Sequence, residues 1–553
     1  MKVSVNNVVL ELHTGARVRD AVIKFYTRAG EKCPSVLPVA EDRFGNEVDH
    51  DGELSDGDKL FLKKGEKGSS VMKVILFIIG IYFSPYATSG ITAGQGVAGE
   101  RHAIIFAVND MHATIDLFPR LAFLVDSLKA VYPDMLLVAA GDNQTGNPVN
   151  DMYPEKGLPV IELMNATGFN LSAVGNHEFD SRPAGFSKLT QKASFSFICA
   201  NVKAKDSSGI DVSPYKIFTL PNGLKIAFLG LLQINQNGTP DSHPDNTKPF
   251  SFRSPFETAP EYLYLKDQND ILIALTHLGF ESDVRLAETM PAGIDLIIGG
   301  HSHTRVAKEQ VFNGILITQA ENKLKYGTLI KLTVTSDGAL QKHMELVDIR
   351  NSKKENPSVR AMVDKFNDNP FLNQVIATAS DEFTSYEELG YLMADAQRDA
   401  ARADIGLINP GGVRIDHLGK GPVTIMNVYQ LDPFGNELVV TRLTGNEIRD
   451  LLLAAWPVDD KLPVYPSGLR TRLKLDTNGN LADVALLSDS GTPIEMNRTY
   501  TVAMNNYMTT VYRYGHADPG KSLFISTADA TIGYLKKTHT IGSYRGVKRM
   551  QID

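Results

Sequence analysis

Apolar positions are spaced in two different ways along the chain. In the opening residues, "KVSVNNVVLEL" alternates apolar and polar positions as a half-buried strand does, with Asn6-Asn7 placed for a tight turn. "RVRDAVIKFYTRAG" repeats its apolar residues at helical spacing and stops at Gly30. "RFGNEVDHDGELSDGDKLFLKKG" then carries turn chemistry and a last strand. From His102 the runs become almost wholly apolar: "AIIFAV", "MLLVAA", "NLSAV", "FSFICA", "KIAFLGLL", "DILIAL" and "IDLIIG". Between the first two, "DLFPRLAFLVDSLKAVY" has a helical apolar stripe. Strands without a polar face, separated by helices, predict a sheet covered on both sides. The polar stretch "RNSKKENPSVRAMVDKFNDNP" predicts a linker and a helix, and a mixed α+β region follows.

One segment fits neither pattern. In "MKVILFIIGIYFSPYATSG", Met72 to Gly90, the apolar run Val74–Phe83 is too short to cross a bilayer, which takes about 20 residues. Lys63, Lys64, Lys67 and Lys73 precede it and Ala87-x-Ser89 follows, the basic, apolar, small order of a signal peptide. This reading implies an exported protein, periplasmic or at the cell surface. The alternative is a short uncleaved anchor behind a cytoplasmic extension. The element order of the residues before it resembles the β-grasp fold of ubiquitin-like and sulfur-carrier proteins. A working carrier ends in a free Gly-Gly whereas "GEKGSS" runs on here, so no activity is carried over and this part reads as unconnected to the rest of the chain. The expected domains are 1–69, a signal-like segment and linker at 70–99, 100–348, a linker and helix at 349–375, and 376–553.

Composition narrows the partners. With 43 % hydrophobic and 22 % charged residues the chain has the make-up of a globular protein, and its 553 residues exceed one ordinary core. A net charge of −8 disfavours nucleic acid or anionic membrane as partner. A small anionic substrate stays open, since a metal or an arginine reverses the field locally. Two cysteines, Cys33 and Cys199, form neither a disulfide framework nor a thiolate metal site.

The chemistry sits just after the strands. "AIIFAV" runs into Asp110-Met111-His112, "MLLVAA" into Gly141-Asp142-Asn143, and "NLSAV" into Asn176-His177-Glu178-Phe179-Asp180. "DILIAL" ends in Thr276-His277, and "IDLIIG" in His301-Ser302-His303. Five of thirteen histidines thus fall at the carboxyl edge of a predicted sheet, where ligands of open α/β folds bind. Imidazole, carboxylate and amide oxygen without thiolate suit Zn, Mn, Fe or Co, and so many donors favour two ions sharing a carboxylate.

The series "NDMH…GDN…GNHEFD…THLG…GGHSHT" resembles the calcineurin-like metallophosphoesterases, and more narrowly the 5′-nucleotidase family, over about residues 103–550. That resemblance implies a four-layer α/β/β/α sandwich with a dimetal centre and a second α+β substrate-binding domain. One ion would take Asp110, His112, Asp142 and His303, the other Asp142, Asn176, His277 and His301. A metal-bound hydroxide would attack phosphorus, His177 would serve the transition state or the leaving alkoxide, and Asp180 would orient His177.

In the second domain "ADIGLINPGGVRID" and "VYQLDPFGNELVV" resemble the family's specificity domain, implying Asn409 and Arg414 at the pocket and Phe434 stacked on a base. Two segments depart from the family. "IATASDEFTSYEE" lacks the arginines expected before the next helix, and "TTVYRYGHADPG" stands where a glycine-rich base clamp is expected, leaving Tyr512 or Tyr514 to stack. The resemblance also implies a C-terminal domain that rotates, which the polar linker permits. The expected activity is release of phosphate from nucleoside 5′-monophosphates. Alternatives are cyclic nucleotides, nucleotide sugars or a non-nucleotide phosphoester, and, outside enzymes, a surface binding protein with a vestigial site.

Overall fold

The computed structural model describes residues 1–12, 16–29, 34, 37–63 and 99–552, except 152, 206–211, 236–237, 243, 369, 460–461 and 478. The signal-like segment 72–89 and Cys33 lie outside the described residues.

Two six-stranded sheets form the centre of the molecule. In the first, the strand Arg101–Val108 pairs in parallel with Leu136–Ala139, followed by Leu171–Ala173 and Ser196–Ile198, while Tyr326–Val334 and Leu340–Asp348 complete the other edge. In the second, Lys225–Leu232, Ile271–His277, Leu296–Ile298 and Ile315–Thr318 run parallel, with antiparallel edges. The apolar runs are continuous because alternate residues serve two cores. Ile105 and Ala107 face the core between the sheets together with Phe228, Ile273 and Ile298. Phe106 and Val108 face helices Phe118–Val131 and Leu158–Thr167 on one outer side. Ala227, Leu229 and Leu231 face helix Phe280–Thr289 on the other. Helix, sheet, sheet, helix: the result is the four-layer sandwich. Each fully buried Leu, Ile or Phe contributes about 1.5–3 kcal/mol to it.

The linker is packed rather than free. Helix Pro357–Asn367, capped by the Asn356 side chain accepting from Val359 N, buries Val359, Val363 and Phe366 in the same core as helix Phe118–Val131. Asn356 N donates to Pro119 O, and Arg120 pairs with Glu355 at 3.2 Å. Beyond it, the second domain holds a five-stranded sheet of order Tyr465–Ser467, Ile405–Ile408, Thr499–Asn505, Glu437–Thr444, Lys521–Ser526. Helices Tyr386–Ala401 and Gly445–Val458 pack on it, the latter begun by a Thr444/Glu447 capping box.

Residues 1–63 form a hairpin, Lys2–Val5 with Val8–Glu11, a helix, Val18–Arg28, and a last strand, Lys59–Leu62, parallel to the first. Its core includes Val3, Val5, Leu10, Val18, Val22 and Leu60. The expectation that this part is unconnected to the rest is corrected by its edge. Strand Glu47–Val48 pairs antiparallel with Thr304–Arg305, directly after the His301-Ser302-His303 turn, so the small sheet continues into the sandwich.

Candidate active site

The strand ends bring all seven expected metal donors together. Asp110, His112 and His303 have ligand atoms mutually within 4.8 Å, as do Asp110, Asp142 and His277, and also His112, Asp142 and His177. Asn176 Oδ1 lies 3.2 Å from His301 Nδ1. The backbone is bent to achieve this: Asp110, His112, Asp142, His301 and His303 all have φ between 45° and 82°. Non-glycine residues in that region cost about 1–3 kcal/mol each and persist where the surroundings over-determine them. Gly175 permits the closest approach, since a Cβ there would meet Asp142 Oδ1 at 2.1 Å.

The donor set fits cations on three counts. His112 Nδ1 is 3.1 Å from Thr145 O and His277 Nδ1 is 2.7 Å from Ala140 O, so each ring donates outward and turns its Nε2 lone pair inward. His112 Nε2 and His303 Nε2 face each other at 3.0 Å beside Asp110, 3.5 Å from His303 Nε2. His277 Nε2 and His301 Nε2 are buried without hydrogen-bond partners, His277 Nε2 standing 3.1 Å from Asp142 Oδ2. Burial drives the Asp142 carboxyl up, yet the surrounding histidines, His277 foremost, outweigh it and hold it well below the usual range.

His177 projects beside this cluster. Its Nδ1 donates to Asp180 Oδ2 at 2.7 Å, while Asp180 is itself fixed by Thr145 Oγ1 (2.8 Å) and Ser242 Oγ (3.2 Å). Burial lowers the His177 pKa, but Asp142 and Asp180 more than reverse that and hold it well above the ordinary value.

Sequence reasoning left Glu178 and Glu53 without a role. The Glu178 carboxylate accepts from the backbone amides of Asp142 (3.0 Å), Asn143 (2.9 Å) and Gly175 (2.6 Å) and from Asn143 Nδ2 (3.1 Å), tying two ligand loops together. Its place in "GNHEFD" was the only signal. Glu53, from the N-terminal domain, lies 3.5 Å from both His177 Nε2 and His301 Nδ1. Nothing local in "DGELSD" marks it.

A cavity of about 510 Å³ opens over His112, His177 and His303 and is walled by all three domains. Arg414 and Phe434 line it, the guanidinium 5.2 Å from the ring centre, and Phe434 is 38 % exposed. Arg17, Arg19 and Lys323 join Arg414, with Asp51 opposing, so the wall is cationic in a chain of negative net charge. Asn409 is buried and its Oδ1 accepts from Asn505 Nδ2 at 2.8 Å, supporting the loop before Arg414. Two expectations are corrected. Tyr512 is 2 % exposed, sits in the second domain's core and hydrogen-bonds Asp459, and Tyr514 stacks on His516 at 4.4 Å; neither lines the cavity. The turn after helix Asn506–Val511 spends these rings on packing.

Comparison with known proteins fits this geometry. Residues 104–305 match the model of the calcineurin-like phosphoesterases, and 372–511 that of the 5′-nucleotidase C-terminal domain. The chain joins a calcineurin-like phosphoesterase domain to a 5′-nucleotidase C-terminal domain. It is 30 % identical over 465 residues to the endonuclease YhcR of Bacillus subtilis, covering 73 % of this chain and 37 % of that protein. To the 5′-nucleotidase of Vibrio cholerae it is 26 % identical, covering 69 % of this chain and 79 % of the relative. The chain thus spans only about a third of the length of YhcR and of a second Bacillus subtilis relative, where coverage is 33 %. The fold matches the 5′-nucleotidase precursor from Thermus thermophilus with a TM-score of 0.65 at 24 % identity, over 82 % of this chain and 99 % of that one. Neither family model covers the N-terminal domain.

Proposed function

We propose that this enzyme hydrolyses small-molecule phosphate esters, with nucleoside 5′-monophosphates as the substrate class. The carrying observation is that Asp110, His112, Asp142, His277 and His303 fall into overlapping sets with ligand atoms within 4.8 Å, beside the Asn176–His301 pair and His177 and under a cationic cavity. Asp110, His112, Asp142 and His303 would hold one divalent ion and Asp142, Asn176, His277 and His301 the other. Two such ions supply Lewis-acid charge and an activated water. His177 Nε2 donates a proton to the leaving alkoxide, and Asp180 keeps Nδ1 protonated and the ring in place. Arg414 binds the anionic end of the substrate and the exposed face of Phe434 carries a base, a contact worth about 1–3 kcal/mol in nucleic-acid binders.

The basic-apolar-small order of residues 63–89 supports export; a chain cleaved near Gly90 would lack the N-terminal domain, whereas an uncleaved anchor, starting at Met1, keeps that domain at the site, and the N-terminal sequence of the exported protein decides. Among the described residues no helix is long and apolar enough to cross a membrane.

The test is a phosphate-release screen with Mn²⁺ or Zn²⁺ over nucleotides and simple phosphoesters, beside Asp142→Asn. Loss of hydrolysis in the variant is expected. Equal turnover by parent and variant refutes the dimetal assignment.

A further inference from the structure

The N-terminal domain does more than share a sheet edge with the sandwich. Its loop 49–53 follows the strand Glu47–Val48 down the same wall as the donor turn. Asp49 N donates to His303 O and Glu53 N to His301 O, both at 3.3 Å. Gly52 lies so close that a Cβ there would meet Ser302 O at 2.1 Å, and its φ is not one that requires glycine, so close approach explains the residue. The loop is thereby held against the backbone of both donor histidines.

What it delivers is a carboxylate. Glu53 is 6 % exposed, and its Oε2 is 3.5 Å from His301 Nδ1 and 3.4 Å from Asn176 Nδ2, while Oε1 is 3.5 Å from His177 Nε2. The Arg17 guanidinium stands 3.9 Å away, beyond hydrogen-bond length. His177 stands beside Oε1, and the Oε2 side faces candidate donors: Glu53, Asp241 and His301 form another set with ligand atoms within 4.8 Å. The position is also the one His177 Nε2 addresses. The cavity leads to His112, His177 and His303, whereas Asn176 and His301, at 0 % and 1 % exposure, lie under Glu53.

We propose that Glu53 is a further ligand of the metal centre, delivered by the N-terminal domain to the Asn176–His301 side, where it holds the position that a phosphoryl oxygen of the substrate must take. The inference rests on the dimetal reading above. It gives the N-terminal domain a role: a cap that strengthens metal binding and competes with phosphate.

Those two effects have opposite signs, which separates a ligand from a merely structural residue. Full-length protein, Glu53→Gln and Gly52→Ala are titrated with Co²⁺, followed by calorimetry and visible absorption, and the Co²⁺-loaded forms are then titrated with inorganic phosphate. Parent protein is expected to bind two Co²⁺. In Glu53→Gln one site weakens about tenfold or more with a changed spectrum, a loss of the size seen when groups around a metal site are removed, while phosphate binds several-fold tighter. Gly52→Ala, which pushes the loop away without touching a donor, is expected to reproduce the phosphate effect. Unchanged Co²⁺ affinity in Glu53→Gln, or phosphate affinity that falls or stays level in either variant, overturns the inference. Parent protein that binds fewer than two Co²⁺ overturns the dimetal reading beneath it.

Discussion

Glu178→Gln tests whether the ligand loops are held by one buried carboxylate. Oε2 accepts from the amides of Asp142 and Gly175, and Oε1 from the amide and side chain of Asn143. A glutamine keeps one oxygen and turns an NH₂ group toward the other pair of donors. Two N–H groups then lose their acceptor in a place where Glu178 is 1 % exposed. At about 1–3 kcal/mol for each buried donor left unpaired, the substitution costs about 2–6 kcal/mol. For domains of this size that lowers the melting temperature by about 4 °C or more. Whichever pair loses out, Asp142 with Gly175 or the two donors of Asn143, it holds the loop that carries Asp142, so metal affinity falls as well. Differential scanning calorimetry of metal-loaded protein reads the first effect and Co²⁺ titration the second. A variant that melts within about 1 °C of the parent and binds Co²⁺ equally well refutes the brace.

Three further outcomes follow from the geometry. Asp180→Asn removes one of the three carboxylates that hold the His177 pKa up, so the protonated form is lost at lower pH: the alkaline limb of kcat moves acidward and kcat falls by about 10²-fold, read from a pH–rate profile. A limb that stays in place leaves Asp180 without that role. Arg414→Ala takes a guanidinium from the cavity wall and from the Phe434 ring, and raises KM for a nucleotide and for a small aryl phosphate alike, because both present the same anionic end. Unchanged KM for both substrates contradicts its place in recognition. Tyr512→Phe removes the buried hydrogen bond to Asp459 and lowers the stability of the second domain by about 1–3 kcal/mol while KM is unchanged, checked by urea unfolding and kinetics; a raised KM restores Tyr512 to the pocket.

Legibility followed sequence distance. The sandwich, and the gathering of seven candidate donors at one edge of it, were readable because each of these residues stands within a few positions of the strand that places it, so apolar run and polar tip occur together. His277 is the last residue of its strand, and Asp110 follows Val108 by two positions. The positive φ angles of Asp110, Asp142 and His301 left no such trace, since Asp and His, though enriched at positive φ, adopt ordinary backbone at most positions. Tyr512 and Tyr514 were misread for a related reason: an aromatic in a loop looks the same in sequence whether it packs inward or faces a ligand. The packed linker helix was half legible, its apolar positions visible but not what they cover.

Glu53 shows where such reading stops, and why. The N-terminal domain is complete as a sequence unit, with its own alternation, helix and core, so nothing in it demands a partner. The link is made by the backbone pairing of Glu47–Val48 with Thr304–Arg305 and by ion pairs such as Lys325–Asp49 (2.6 Å) and Lys323–Asp51 (2.9 Å), whose partners stand far apart in the sequence. The same docking changes the meaning of a gap in the second domain. The arginines absent from "IATASDEFTSYEE" left Arg414 alone in the pocket, yet Arg17 and Arg19 reach the same cavity from the other end of the chain. Arg19 is held there by Asp51 at 3.1 Å, so its charge is partly spent, and loosening the domain exposes both the guanidinium and the metal side that Glu53 covers. Anion binding and capping are therefore properties of one contact, and a change that undocks residues 1–63 alters both together.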